Sequence, residues 1–178
     1  TDRFRGRMDI ELNKVGIRQA ELLSAYLKTW KVEAIYASPL KRALKTAEII
    51  AKPHHVSVEI APGLVDFNAG EWEGRSVQEV KEKYGDLFTA WASHPEKVKI
   101  PGGESLDEVT GRAMAVVEEV IREHKGIVIM VSHRVVNKVL ICALLGLDNS
   151  HFWNIKQDNC GITIFSYEDG RFVLTRHN

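Results

Sequence analysis

The sequence predicts an α/β protein: a three-layer α/β/α sandwich with a mostly parallel central sheet and a C-terminal edge hairpin. Three observations carry that expectation. Strand-like and helix-like segments alternate through most of the chain, the order that builds a parallel sheet covered by helices on both faces. Ile127 to Val131 is an unbroken apolar run rich in β-branched residues, as expected of a strand buried on both faces. Near the end, Ile162 to Tyr167 and Phe172 to Thr175 flank the turn residues Glu168-Asp-Gly170, which is a hairpin pattern. A chain of 178 residues, 44% of them hydrophobic, has enough apolar surface for one sizeable core, so residues 1–178 are read as a single domain.

Each element has its own local signal. Ile17, Ala20, Leu23 and Leu27 repeat at helical spacing behind Asn13, a natural N-cap, and this helix is expected to end near Trp30. Glu33 to Ser38 reads as a strand. Pro39 then opens a helix carrying Leu40, Ala43, Leu44 and Ala47, proline being tolerated in a first turn. Val56 to Ile60 alternates like a second strand. Ser76 with Glu79 three residues on makes a capping box for a helix ending at Gly85, and Asp86 to Ala92 forms another short helix. A long amphipathic helix runs from about Ser105 to Glu123, with its charged residues on the outer face. After the apolar strand, Val135, Val136, Val139, Leu140, Ala143 and Leu144 resume helical spacing.

Composition excludes several classes of function. Lys plus Arg equals Asp plus Glu at 24 each, so no overall field draws the protein to nucleic acid or to an acidic membrane. The longest apolar stretches are interrupted by Ser132 to Arg134 and fall short of a membrane span. The polar, basic opening has no signal-peptide pattern, and the two cysteines, Cys142 and Cys160, suit reduced thiols in the cytoplasm. No Cys or His pair has ligand spacing, so no metal is expected; His54 and His55 are read as loop residues.

Polar residues with chemical potential fall at strand ends. Ser132, His133 and Arg134 stand where the apolar strand stops and a helix begins, a place where unpaired N–H groups favour an anion. His133 read alone suits an ordinary buried imidazole equally well. Arg42 lies in the first turn of the helix after the preceding strand; by itself it reads as a solvated charge. The segment Leu64 to Gly74 gathers Asp66, Glu71 and Glu73 around Trp72 in a loop, the kind of element that carries catalytic groups, or else an acidic turn.

These segments occur together in a recognisable order. Arg3-Phe-Arg-Gly-Arg-Met-Asp9 with Leu12-Asn-Lys-Val-Gly-Ile-Arg-Gln-Ala20, then Tyr36-Ala-Ser-Pro-Leu-Lys-Arg-Ala-Leu-Lys-Thr-Ala47, Leu64 to Gly74, Pro101-Gly-Gly-Glu-Ser105 and Val131-Ser-His133 resemble the histidine phosphatase superfamily, the phosphoglycerate mutase-like fold. The resemblance covers nearly the whole chain. It implies a metal-independent and cofactor-free phosphomonoester hydrolase, in the small phosphatase branch similar to alpha-ribazole phosphatases. The substrate would be a small phosphorylated metabolite and the intermediate a phosphohistidine. By the same resemblance Arg42 clamps phosphate, His133 binds the transferring phosphoryl oxygens, and Asp66 is the acid, although many relatives have Glu there. Glu71 and Glu73 rank second and are expected to fix the loop. Arg5 and Gly6 would contact the nonreacting part of the substrate, and Arg134, where many relatives carry Gly, would add a carboxylate or phosphate contact.

One departure is large. The Arg-His-Gly segment that carries the family's nucleophile at the end of its first strand is absent from this sequence, and Arg176-His177, followed by Asn178, is read as coincidence. The expectation is that a first strand and its nucleophile loop precede Thr1 in the complete protein. The alternatives are a phosphate-binding or regulatory protein of the same fold without a nucleophile, or a mutase-type phosphotransferase. Oligomeric state is left open, a homodimer being one option.

Overall fold

Three parallel strands in the order β2-β1-β3 form the sheet that positions everything else: β1 (Val32–Ala37), β2 (Val58–Ile60) and β3 (Ile127–Val131). The computed structural model describes residues 3–178; Thr1 and Asp2, part of the opening segment, lie outside the described residues. The helices are α1 (Lys14–Leu27), α2 (Lys41–Ala51), α3 (Val77–Lys83), α4 (Gly85–Ser93), α5 (Leu106–Glu123) and α6 (Arg134–Leu144). The C-terminal hairpin pairs β4 (Thr163–Glu168) with β5 (Arg171–His177), antiparallel, as a separate two-stranded sheet.

The two faces of the sheet follow the period-2 alternation of its strands. Ile35, Ala37, Ile129 and Val131 pack with Leu27, Ala47 and Ile50 of α1 and α2. Ala34, Tyr36, Val128 and Met130 face the other way, against Val116 and Val120 of α5 and against Leu64. A third cluster joins α4, α5 and α6 around Trp72, which is fully buried and meets Phe4, Phe88 and Trp91 ring to ring.

Local chemistry sets the helix starts. The Asn13 side chain accepts from the Gly16 N–H, and Ser76 and Ser105 each complete a capping box with Glu79 and Glu108. Three boundaries differ from the sequence reading. Pro39 precedes its helix, because the chain stays extended through Leu40, the N-cap, before α2 begins at Lys41. Gly85 starts α4 rather than only ending α3, the break being made at Tyr84 with φ −128°. The second strand is shorter than Val56 to Ile60, spanning Val58–Ile60.

β3 is also less covered than a strand enclosed on all sides. Its residues are half-buried or exposed because, among the described residues, only β1 pairs with it, while its other edge opens onto a cleft of about 1880 Å³ that reaches Ile162 and Ile164 beside and on β4.

The loop from Leu64 to Gly74 is tied down by the loop at Pro101. The Glu71 N–H donates to the Pro101 carbonyl and the Glu104 N–H to the Asn68 carbonyl, each at 3.0 Å. Gly70 sits at φ +49°, and a Cβ there would strike the backbone of Pro101 and Gly103. Gly70→Ala is therefore expected to cost about 2 kcal/mol or more of stability, read from urea unfolding, since backbone strain and backbone overlap combine. An unchanged midpoint would contradict the packing described.

Candidate active site

The ends of β1 and β3 lie side by side, and this fixes where the polar residues converge. The Ser38 N–H donates to the Val131 carbonyl at 2.9 Å, extending the ladder one step beyond the strands. His133 follows as N-cap of α6. Arg42, in the first turn of α2, is delivered from the end of β1 by the Ser38-Pro39-Leu40 turn.

The three residues expected to be catalytic meet in one place. Arg42 Nη2 donates to Asp66 Oδ2 at 2.7 Å, and His133 Nδ1 lies 3.5 Å from the same oxygen. All three are largely buried, with side-chain exposures of 16% for Arg42, 15% for Asp66 and 5% for His133. On its other side, the His133 ring places Nε2 2.7 Å from Ser38 Oγ. Arg42 is held further by the Met8 carbonyl on Nη1 and the Gly6 carbonyl on Nη2.

Burial governs the ionisation of this group. Desolvation raises the Asp66 carboxyl above its ordinary range, although Arg42, the Phe67 N–H and Arg112 pull the other way. Desolvation, then repulsion from Arg42 and Arg112, lowers His133 from 6.5 to about 3, so its imidazole is neutral. Asp66 and His133 are thus not an ion pair but a carboxyl raised above its ordinary range beside an uncharged ring.

The remaining expected residues divide. Gly6 is buried at φ +47° and gives its carbonyl to Arg42; Glu73 Oε1 accepts from the next N–H, that of Arg7, at 2.7 Å. Glu71 accepts from the Tyr84 hydroxyl at 2.6 Å, so both of these acids brace the chain around the loop. The side chains of Arg5 and Arg134 are exposed, line the cleft and make no ion pair among the described residues. His177 uses both ring nitrogens within the C-terminal region, on Thr163 Oγ1 and the Lys156 carbonyl. No group of three His, Cys, Asp or Glu able to hold a metal occurs among the described residues, and no helix there is long and apolar enough to cross a membrane.

Four supporting residues were missed in the sequence. Arg112 donates to the carbonyls of Gly63, Val65 and Asp66 and to both oxygens of Glu104. Burial opposes ionisation of Glu104, but hydrogen bonds from Arg112 and the Asn68 N–H outweigh it and hold that carboxyl below its usual range. Arg7 adds a contact to Glu104 at 2.9 Å and one to the Asp66 carbonyl at 3.3 Å. Ser38 is the fourth. Arg7, Ser38 and Glu104 lie inside the Arg3 to Asp9, Tyr36 to Ala47 and Pro101 to Ser105 motifs but are given no role there; Arg112 reads as one more charge on an amphipathic helix.

Comparison with known proteins identifies the family. The profile of the histidine phosphatase superfamily, branch 1, matches residues 1–178. Phosphoserine phosphatase 1 of Hydrogenobacter thermophilus is 38% identical over 177 residues, covering 99% of this chain and 84% of that protein. The structure of Bacillus stearothermophilus YhfR superposes with a TM-score of 0.92 at 27% identity, covering 97% of this chain and 87% of that one. Phosphoserine phosphatase from Entamoeba histolytica, solved with 3-phosphoglyceric acid, gives 0.83 at 27% identity, with 99% and 88% covered. The chain belongs to the histidine phosphatase superfamily.

The His133 shift has a consequence for stability. Its folded-state value lies below the unfolded one, so its contribution is complete above about pH 6.5 and is lost as pH falls from there toward about 3. Between neutrality and about pH 5 this predicts a loss of about 2 kcal/mol attributable to one ring. Urea unfolding at the two pH values should show that loss in the wild type and a smaller one in His133→Gln; equal slopes would contradict a neutral buried His133.

Proposed function

We propose that this histidine phosphatase hydrolyses a small phosphomonoester through a phosphohistidine, with Arg42, His133 and Asp66 as its catalytic residues. The observation that carries the reading is the convergence of a guanidinium, a neutral imidazole and a carboxyl raised by burial on one cleft. Phosphoryl transfer needs little covalent help beyond in-line placement, so most of the catalysis is positive charge and N–H donors around three equatorial oxygens. Arg42 offers a planar fork for two of them, and His133 an N–H for the third.

The nucleophile is proposed to be a histidine on a further strand that fills the cleft beside β3. That edge has free backbone donors and acceptors and apolar walls from Ile129, Val131 and Ile162, which an added parallel strand would satisfy. The nucleophile's ring nitrogen attacks phosphorus, the P–O bond to the alcohol breaks, and the Asp66 proton passes to the leaving alkoxide. Water then attacks the phosphohistidine and gives its proton to the Asp66 carboxylate, restoring the acid and releasing inorganic phosphate. A phosphate dianion on Arg42 takes the guanidinium from Asp66 and, being negative, raises the Asp66 carboxyl further.

Arg5, Gly6 and Arg134 are proposed to meet the rest of the substrate. The free guanidinium groups of Arg5 and Arg134 suit a carboxylate, and the relative named phosphoserine phosphatase makes phosphoserine the first compound to assay. The two free thiols agree with a reducing, cytoplasmic setting.

Brief exposure of the enzyme to phosphoserine or nitrophenyl phosphate, followed by intact-mass measurement with the phosphohistidine preserved, should show one added phosphoryl group. Binding of phosphate with no such adduct would overturn the hydrolytic reading. Asp66→Asn should lower turnover of an alkyl phosphate by about 10²–10⁴ and that of nitrophenyl phosphate far less, since nitrophenolate leaves without a proton. Equal losses on both substrates would place the acid elsewhere.

A further inference from the structure

Ser38 has a role that the phosphate-binding groups alone do not explain. It is completely buried at the end of β1, and its backbone is locked to β3 one residue before Ser132. Its hydroxyl oxygen lies 2.7 Å from His133 Nε2 and accepts the Leu40 N–H at 3.3 Å. The opposite ring nitrogen, Nδ1, faces Asp66.

Ser38, His133 and Asp66 have the composition of a nucleophilic triad, but no substrate can reach a hydroxyl with zero exposure. What the hydroxyl can do is choose the tautomer. A neutral imidazole carries one N–H and one lone pair, and which nitrogen holds the proton is set by the partner of the other. The Ser38 oxygen already accepts from Leu40 and keeps its own O–H to give. When Asp66 is ionised it can only accept, so the ring must present an N–H toward it.

Resting on the phosphatase reading above, we propose that Ser38 is a positioning residue: its O–H donates to His133 Nε2 and thereby holds the ring as the Nδ1–H tautomer, with that N–H directed at Asp66 and the phosphoryl oxygens. Without this donor the ring can turn, or place its proton on Nε2 and set a lone pair against an anion. The proline after Ser38 and the ladder bond from its N–H fix where the hydroxyl stands, so an imidazole between Ser38 and Asp66 is oriented from both sides.

The test is the ¹⁵N chemical-shift pattern of the His133 ring near neutral pH, assigned by comparison with His133→Gln, together with kinetics of Ser38→Ala and Ser38→Thr. The proposal predicts a protonated Nδ1 and an unprotonated Nε2 in the wild type. It also predicts a 10- to 100-fold lower kcat with little change in KM for Ser38→Ala (about the effect of misplacing one transition-state donor), and recovery of much of the activity and of the wild-type pattern in Ser38→Thr. An Nε2–H ring in the wild type, or wild-type kcat in Ser38→Ala, overturns it. If Ser38→Ala fails to fold, the wild-type spectrum still decides. A wild type that forms no phosphohistidine would sink the phosphatase reading instead, leaving the tautomer measurable.

Discussion

The contact between Arg42 and Asp66 is the constraint on which the site depends. A cation suited to phosphate is held by the carboxyl that we propose as the acid. In water such a pair would keep the carboxyl ionised. Here both partners are largely buried, and desolvation outweighs the guanidinium, so Asp66 is raised while remaining hydrogen-bonded. The same dryness keeps His133 neutral, so it does not add a second cation beside Arg42. On the proposed reading, an arriving dianion would shift this balance in one direction: it would occupy Arg42 and favour the proton on Asp66.

Such a balance requires that the three groups not drift apart, and the fold supplies two kinds of restraint. Parallel strand ends bring Ser38 and His133 together through a ladder bond, which is stiff because β1 is paired on both sides. The Asp66 loop has no regular ladder of its own. Its carbonyls are collected instead by Arg112, which is oriented by Glu104, and Arg7 donates to the same Glu104 carboxylate. An irregular loop with buried backbone needs such partners, since unpaired carbonyls there would cost about 1–3 kcal/mol each. The aromatic packing of Trp72, Phe67 and Trp91 closes the loop's underside.

The sequence revealed what is local and hid what is long-range. Asn13, Ser76 and Ser105 announce helix starts because a cap is a contact over three residues. The strand-like segment Glu33 to Ser38 and the apolar run of β3 place Arg42 and His133 near strand ends, and for His133 that position alone suggests an anion site. Pro39 misleads, since proline suits both a first helical turn and the extended segment before it. Asp66 could be chosen over Glu71 and Glu73 only by resemblance, because three carboxylates in one loop look alike until burial separates them. Arg112 could not be chosen at all: the carbonyls it collects lie more than 40 residues away, and its own neighbours look like any amphipathic helix. That the hairpin stands apart from the parallel sheet, across an open cleft, is likewise a matter of pairing between distant segments.

The most direct measurement of the central claim is a crystal structure with orthovanadate, an oxyanion that mimics the transferring phosphoryl group. Vanadate oxygens are expected within hydrogen-bonding distance of the Arg42 guanidinium and the His133 ring, with the Arg42–Asp66 contact broken and the Asp66 carboxyl turned toward the apical oxygen. Vanadate bound elsewhere, or bound while Arg42 and Asp66 remain paired at their present distance, would contradict it.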